Sequence, residues 1–183
     1  MFPDENEAEG LLEKYAPDDS QFMIVLNHGK KVAELGMKFA ERVPGANRKL
    51  IKIGAILHDI GRFLYPPPGR ENAARHGIAG ADILRNEGID EAICRIAERH
   101  VGVGIWKEDI ISMKLTIPHL DYLPETDEEK IVAYADNIAG KYPEDDLKAA
   151  EKMVEERFAR EVGMGYGMKT RKFHEEMHLI LGM

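Results

Sequence analysis

His58 and Asp59 are adjacent at the end of a segment, Ile51 to Ile60, that is otherwise almost wholly apolar. A segment of that kind reads as a buried helix. A carboxylate buried in it is costly unless it is paired or binds a metal. The same pattern recurs along the chain. His28 lies between Val25 and Val32 on the apolar stripe of its segment, and Ile51 and Ala55 lead in helical steps to His58. His76 shares a face with Ala79 and Ile83, Ile93, Ile96 and Ala97 precede His100, and Val132, Asp136 and Ala139 share another face. Four helices each aim a histidine inward, and two positions aim an aspartate there. Imidazole and carboxylate are the ligands that Zn²⁺, Mn²⁺ and Fe ions share. Consecutive helix residues diverge by about 100°, so an adjacent His-Asp pair can reach one ion at a helix end, or two neighbouring ions. A single inward histidine is more often a hydrogen-bonded core residue; five such residues plus a further aspartate make the metal reading the stronger one.

Three other features compete for attention. His174-Glu175-Glu176-Met177-His178 matches the H-E-x-x-H pattern of zinc proteases, with two imidazoles one turn apart. Only five residues follow it, Glu176 adds charge, and Arg171 and Lys172 flank it, so a solvated terminal helix is the better reading. His119 follows Pro118 and reads as a loop residue. Cys94, the single cysteine, reads as a small residue at the core edge.

The elements that must position these residues are helical. Residues 4–15 suit a short acidic helix. Asp19 or Ser20 caps a long one running to about Val43, where Pro44-Gly45 ends it. Asn47 caps the next, from Arg48 to about Ile60, with Gly61 as its stop. Pro66, Pro67, Pro68 and Gly69 make a loop, and helices follow over 74–87 and 90–100. Residues 101–124 hold Gly102, Gly104 and Pro118 and read as a long, partly irregular connection. Further helices cover 126–140, 144–161 and 170–181. Eight helical segments without a convincing sheet predict an all-α, single-domain bundle over residues 1–183.

Composition narrows the function. The 183 residues are 44% hydrophobic and carry a formal net charge of −8, with a pI near 5.4. Proteins that grip duplex nucleic acid through many phosphates are usually basic, so long nucleic acid is not an expected partner. A small phosphorylated ligand remains open, because local cations and metals outweigh an acidic surround. One cysteine excludes an intrachain disulfide and a tetrathiolate zinc site. No run approaches the roughly 18 apolar residues of a membrane helix, and the acidic start lacks the features of a signal peptide; a cytoplasmic location is the expectation.

The string Leu57-His58-Asp59-Ile60-Gly61, with His28 thirty residues earlier and Asp136 later in Tyr134-Ala135-Asp136-Asn137, resembles the HD-domain superfamily of phosphohydrolases. The resemblance spans about residues 20–140, which leaves 141–183 as a C-terminal extension. His76 and His100 resemble the two extra histidines of its two-metal subset, which includes symmetric dinucleoside-tetraphosphate hydrolases and cyclic-dinucleotide phosphodiesterases. The resemblance implies that His28, His58, Asp59 and Asp136 hold one metal, and that Asp59 bridges to a second held by His76 and His100. It does not choose among Fe, Mn, Zn, Co and Mg. It implies hydrolysis of a nucleotide or nucleotide-like phosphoester or phosphoanhydride, through in-line attack of a metal-activated hydroxide. Many two-metal relatives carry lysine where Arg62 stands here, and the bulky signature motif of the cyclic-dinucleotide enzymes is absent between His76 and His100. Arg62 is the first candidate to bind substrate and to neutralise phosphoryl charge. Arg75, Lys107 and Arg70 come next, with a solvated surface role favoured for Arg70 and Lys107. Tyr65 and Trp106, on loops after ligand helices, either stack on a base or cap the core, with the core favoured for both. The rival class is an HD module that binds or regulates without turnover. A homo-oligomer is compatible with the helices outside the matched core.

Overall fold

The computed structural model describes residues 1–183. Nine α-helices follow one another: α1 (Glu5–Tyr15), α2 (Asp19–Ala40), α3 (Arg48–Leu57), α4 (Arg70–Asn86), α5 (Glu91–Arg99), α6 (Lys107–Met113), α7 (Asp127–Ile138), α8 (Leu147–Glu161) and α9 (Met164–Leu181). A 3-10 turn (Ile60–Phe63) links α3 to the proline loop before α4. Only isolated bridges, Gly102 to Gly104 and Ile105 to Tyr122, have β character, so the architecture is all-α. No helix is long and apolar enough to cross a membrane.

The helix starts follow from side-chain caps. Asp18, Asn47, Asp90, Thr126 and Asp146 each accept a hydrogen bond from a backbone N–H in the first turn of α2, α3, α5, α7 and α8. Asp18, one residue before the expected cap, wins because its backbone is still extended while Asp19 is already helical.

The helices pair as α2 with α3, α4 with α5 and α8 with α9, and α7 packs against α2, α3, α5, α8 and α9. That central place explains why Ile131 through Asn137 of α7 are all buried. One apolar cluster of 39 residues runs from Ala8 in α1 to Leu181 in α9. Each fully buried Ile or Leu in it contributes about 1.5–3 kcal/mol relative to exposure. A smaller cluster around Ala74, Ile105, Ile110 and Tyr122 pins the 101–124 segment onto α4.

Three expectations need correction. The helix over 48–60 ends at Leu57: His58 is its last, capping residue, and Asp59 has left helical geometry at φ −97°, ψ 8°. The 101–124 connection contains α6, held by the fully buried Ile110 and stopped by Lys114 in the left-handed region. The last helix begins at Met164 rather than 170, despite Gly165 and Gly167 in its opening turns. Tertiary packing overrides the weak helix propensity of glycine there. A Cβ on Gly167 would stand 2.8 Å from Cβ of Ala159, so glycine is what lets α8 and α9 come together.

Candidate metal centre

Side chains from five segments converge where α2, α3, α4, α5 and α7 meet. α2 supplies His28, the end of α3 supplies His58, and the turn after it supplies Asp59. His76 lies in α4, His100 caps the end of α5, and Asp136 lies near the end of α7. His58, Asp59, His76, His100 and Asp136 are all buried, and His28 is partly exposed. The buried carboxylates are therefore exceptions that require compensation.

The two oxygens of Asp59 divide the cluster. Oδ2 lies 3.6 Å from His28 Nε2 and 3.5 Å from His58 Nε2. Those two imidazoles also flank Asp136 Oδ1, at 2.8 and 3.7 Å. Oδ1 of Asp59 faces the other way, 3.2 Å from His76 Nε2 and 3.4 Å from His100 Nε2. Ligand atoms bonded to one ion at about 2.0–2.2 Å lie roughly 3.0–3.4 Å apart along the edges of the coordination shell. The separations around Asp59 Oδ1, 3.2 and 3.4 Å, fall on those edges, and those around Asp59 Oδ2 and Asp136 Oδ1 spread about them, from 2.8 to 3.7 Å.

The histidine tautomers agree with this geometry. His58 Nδ1 donates to the carbonyl of Ala55 at 2.6 Å, and His100 Nδ1 to that of Ala97 at 2.8 Å. His76 Nδ1 reaches the carbonyl of Asn72 at 3.3 Å. A backbone carbonyl only accepts, so each Nδ1 carries the proton and each Nε2 is left with a lone pair. His76 Nε2 and His100 Nε2 are nonetheless 3.0 Å apart. Two acceptors meet there, with Asp59 Oδ1 as a third. Nε2 of His58 and both oxygens of Asp59 are buried and lack a hydrogen-bond partner. Buried acceptors left this way are rare, and a cation is what satisfies them. The donor set fits divalent metal, and two groups, His28-His58-Asp136 and His58-Asp59-His100, have ligand atoms close enough together to hold an ion.

Electrostatics point the same way. Burial opposes ionisation of Asp59, but the fields of His58 and Arg62, with His100 and His76 close beside it, hold its carboxyl well below the usual range. Burial likewise opposes ionisation of Asp136, and Lys141, with His28 and His58, outweighs it. Burial lowers His76 and His100 toward the neutral, ligating form.

Two cations border the cluster. Arg62 Nε is 2.7 Å from Asp59 Oδ2, an ion pair whose angle does not make a proper hydrogen bond. Lys141 Nζ donates to the backbone carbonyl of Asp136 at 2.7 Å and to its Oδ1 at 3.0 Å. Sequence reasoning missed Lys141. The available signal was Gly140, which ends the α7 segment and turns the chain so that the next residue folds back on Asp136.

The structure brings Arg62 to the six ligand candidates and leaves other cations apart. Arg75 is held by Glu71 at 2.5 Å and by Thr116, with its guanidinium over Tyr65. Lys107 is exposed, its backbone N–H bonded to Asp121, and Arg70 donates to the carbonyl of Glu161. Neither Arg75 nor Lys107 pairs with any of the six. Trp106 caps the core, as expected, with Tyr166 edge-on and Lys169 over its ring. Cys94 is buried, and burial pushes its thiol up to about 11, which makes it a poor nucleophile. His119 is an exposed loop residue. The H-E-x-x-H pair does not converge: His174 turns to Glu155 at 3.3 Å and His178 to Glu151 at 2.7 Å. The expectation of a solvated face is corrected for His174, which is buried with Phe173 and Met177.

Known proteins resemble the chain in both sequence and fold. A tRNA (cytidine(56)-2'-O)-methyltransferase of Picrophilus torridus is 38% identical over 183 residues, covering 94% of this chain and 50% of that protein. One of Thermoplasma volcanium is 42% identical over 138 residues, covering 75% of this chain and 37% of that protein. The chain thus spans half or less of the length of these relatives. The crystal structure of the L. monocytogenes phosphodiesterase PgpH HD domain in complex with cyclic-di-AMP superposes with a TM-score of 0.58 at 21% identity, over 96% of this chain and 94% of that one, a likeness of fold. A family model described as HD domain matches residues 25–141, the stretch that carries all six converging side chains, and the chain belongs to that family.

Proposed function

We propose that the chain is a metal-dependent phosphohydrolase acting on a small phosphorylated substrate, a nucleotide or nucleotide-like phosphoester or phosphoanhydride. One observation carries the reading: three buried acceptors, His76 Nε2, His100 Nε2 and Asp59 Oδ1, meet within 3.4 Å, while Asp59 Oδ2 faces His28 and His58, which also flank Asp136, on the other side. In this reading His28, His58, Asp59 and Asp136 hold one ion, and Asp59, His76 and His100 hold the second. When bound, such a pair supplies a hydroxide nucleophile near neutral pH and neutralises phosphoryl charge. Arg62 and Lys141 border the ligands and donate to the phosphoryl oxygens, where negative charge builds as the bond to the leaving group breaks. The carbonyls of Ala55, Asn72 and Ala97 keep the three imidazoles turned so that Nε2 faces inward. Arg75 and Lys107 are candidates for contacts farther along the substrate. Lys107 is the freer, since Glu71 already neutralises Arg75.

The PgpH complex supports a phosphodiester of nucleotide type as one substrate class. The two methyltransferase relatives favour a second reading, an HD module without turnover that serves a tRNA-modifying enzyme. A net charge of −8 argues against a direct grip on tRNA by this chain.

The test is metal content and turnover on the full chain, purified without chelator or histidine tag. Elemental analysis should find about two ions per chain, falling to about one in His76→Gln or His100→Gln. With Mn²⁺, bis(p-nitrophenyl) phosphate or p-nitrophenyl phosphate should be hydrolysed, and Asp59→Ala should abolish this while leaving the helical circular dichroism intact. Full turnover by Asp59→Ala would sink the reading. Metal without any hydrolysis would favour the silent module.

A further inference from the structure

Five arginines are half-buried: Arg62, Arg75, Arg95, Arg99 and Arg157. Four of them lie within 4 Å of a carboxylate, Arg62 on Asp59, Arg75 on Glu71, and Arg95 and Arg99 on Glu125 and Glu129. Arg157 has none, in a chain that carries 33 acidic residues. Its place in α8 is on the inward stripe, one turn beyond the buried Val154. Its Nε is buried without a partner, and its only side-chain bond runs from Nη2 to Asn137 Oδ1 at 3.2 Å. The guanidinium lies 4.5 Å from the ring centre of Phe158 and 5.7 Å from that of Tyr142. Stacked in this way, it is held in place while Nη1, which has no partner and is not buried, stays free for an acceptor. Removing a positive charge from water without a counter-charge is expensive, so an unpaired, positioned arginine is a place for an incoming anion.

The neighbours of Arg157 tie it to the metal centre. Asn137 follows Asp136, and its amide donates to the carbonyl of Gly102, two residues after His100, at 2.6 Å. Tyr142 follows Lys141, which bonds Asp136. Arg157 is thus anchored to the two segments that present Asp136 and His100, in a helix that lies beyond the family match at residues 25–141. Arg62 and Lys141 already stand beside the carboxylates where the phosphoryl group under attack would lie, so the charge left for Arg157 is a different one.

We propose that Arg157 is a substrate-binding residue that takes the oxygens of a second phosphoryl group, so that the preferred substrate carries two or more phosphates. The inference rests on the phosphohydrolase reading for the chemistry, but not for the binding.

The test uses the full chain saturated with Mn²⁺ and two probes that are not turned over, inorganic phosphate and methylenediphosphonate, titrated calorimetrically. The wild type should bind the diphosphonate at least about tenfold more tightly than phosphate, equivalent to one charge-assisted contact. Arg157→Gln should lose most of that tenfold and keep its phosphate affinity within about twofold. Arg157→Lys should fall between, because lysine keeps the charge but not the fork. In turnover, Arg157→Gln should raise KM for a diphosphate substrate while leaving kcat within about twofold. No preference for the diphosphonate in the wild type, or a preference that survives in Arg157→Gln, overturns the inference. Equal weakening of both probes also overturns it, because Arg157 would then act only by holding Asn137. A wild-type preference for the diphosphonate that Arg157→Gln removes, without hydrolysis of any phosphoester, would retire the phosphohydrolase reading and leave Arg157 as an anion-binding residue.

Discussion

Burial holds His76, His100 and His174 below the ordinary histidine pKa in the folded chain. Once unfolded, each returns to about 6.5 and takes up a proton that the folded state refuses. Stability from these residues is therefore complete above about pH 6.5 and is lost as pH falls through the folded values. Asp59 and Asp136 do not blur this window, because both carboxyls are held well below the usual range and titrate at lower pH. The metal-free protein should thus show a lower urea midpoint at about pH 5.5 than at about pH 8, and His174→Leu should show a smaller drop. An identical drop in that variant would mean that burial does not hold His174 neutral. The six ligand candidates were legible in the sequence because each reads as a polar residue on an otherwise apolar helical face, although Asp59 lies in the turn just after α3. Lys141 and Arg157 were not legible. One lies just past a helix end, where a lysine is ordinary, and the other lies in a helix rich in Lys, Glu and Arg, where inward and outward charges look alike. His174 was misread for a similar reason: Arg171, Lys172, Glu175 and Glu176 hide the stripe of Thr170, Phe173, Met177 and Leu181 that packs inward.

At the scale of elements, the site depends on how closely the 3-10 turn approaches α4. A Cβ on Gly61 would stand 1.9 Å from the carbonyl oxygen of His76 and 2.6 Å from the backbone nitrogen of Gly80. Backbone cannot yield as a flexible side chain does, so Gly61→Ala must push the turn away from α4. Asp59 and His76 sit on the two sides of that contact, 3.2 Å apart. The variant should lose about 1–3 kcal/mol of stability and lose metal from the His76-His100 side first, read as the urea midpoint and as ions per chain. Gly10 in α1 is the contrast, because nothing lies within 4 Å of a Cβ there. Gly10→Ala should stabilise by about 0.5–1 kcal/mol through helix propensity alone. If both substitutions had the same effect, the close approach would not govern the site. Helix identity was readable from periodicity for most of these elements. Boundaries were readable where a side chain caps the start, and much less so where tertiary contact decides, as at Met164. The break between His58 and Asp59 belongs to the second kind: Gly61 marks the stop, but contact with α4 places it.

At the scale of the molecule, α8 and α9 lie beyond the family match yet do not form a separate layer. Ala150, Val154, Phe173, Met177 and Leu181 belong to the same 39-residue cluster as Ile51 of α3 and Ile131 of α7. Tyr134 of α7, fully buried, donates to Glu151 of α8 at 2.6 Å, and His178 of α9 meets the same carboxylate oxygen at 2.7 Å. Removing both helices would bare the α8 and α9 side of α7 and leave the Tyr134 hydroxyl without its acceptor. Each large apolar side chain lost from the core costs about 1.5–3 kcal/mol, and an orphaned buried hydroxyl adds about 1–3 kcal/mol. A typical domain is stable by only about 5–15 kcal/mol. A chain ending at residue 146 should therefore fail to give a cooperative thermal transition and should not retain metal, although it keeps every ligand candidate. A truncated chain that melted cooperatively and still bound two ions would show that residues 1–146 are a folding unit by themselves, with α8 and α9 needed only for what Arg157 binds.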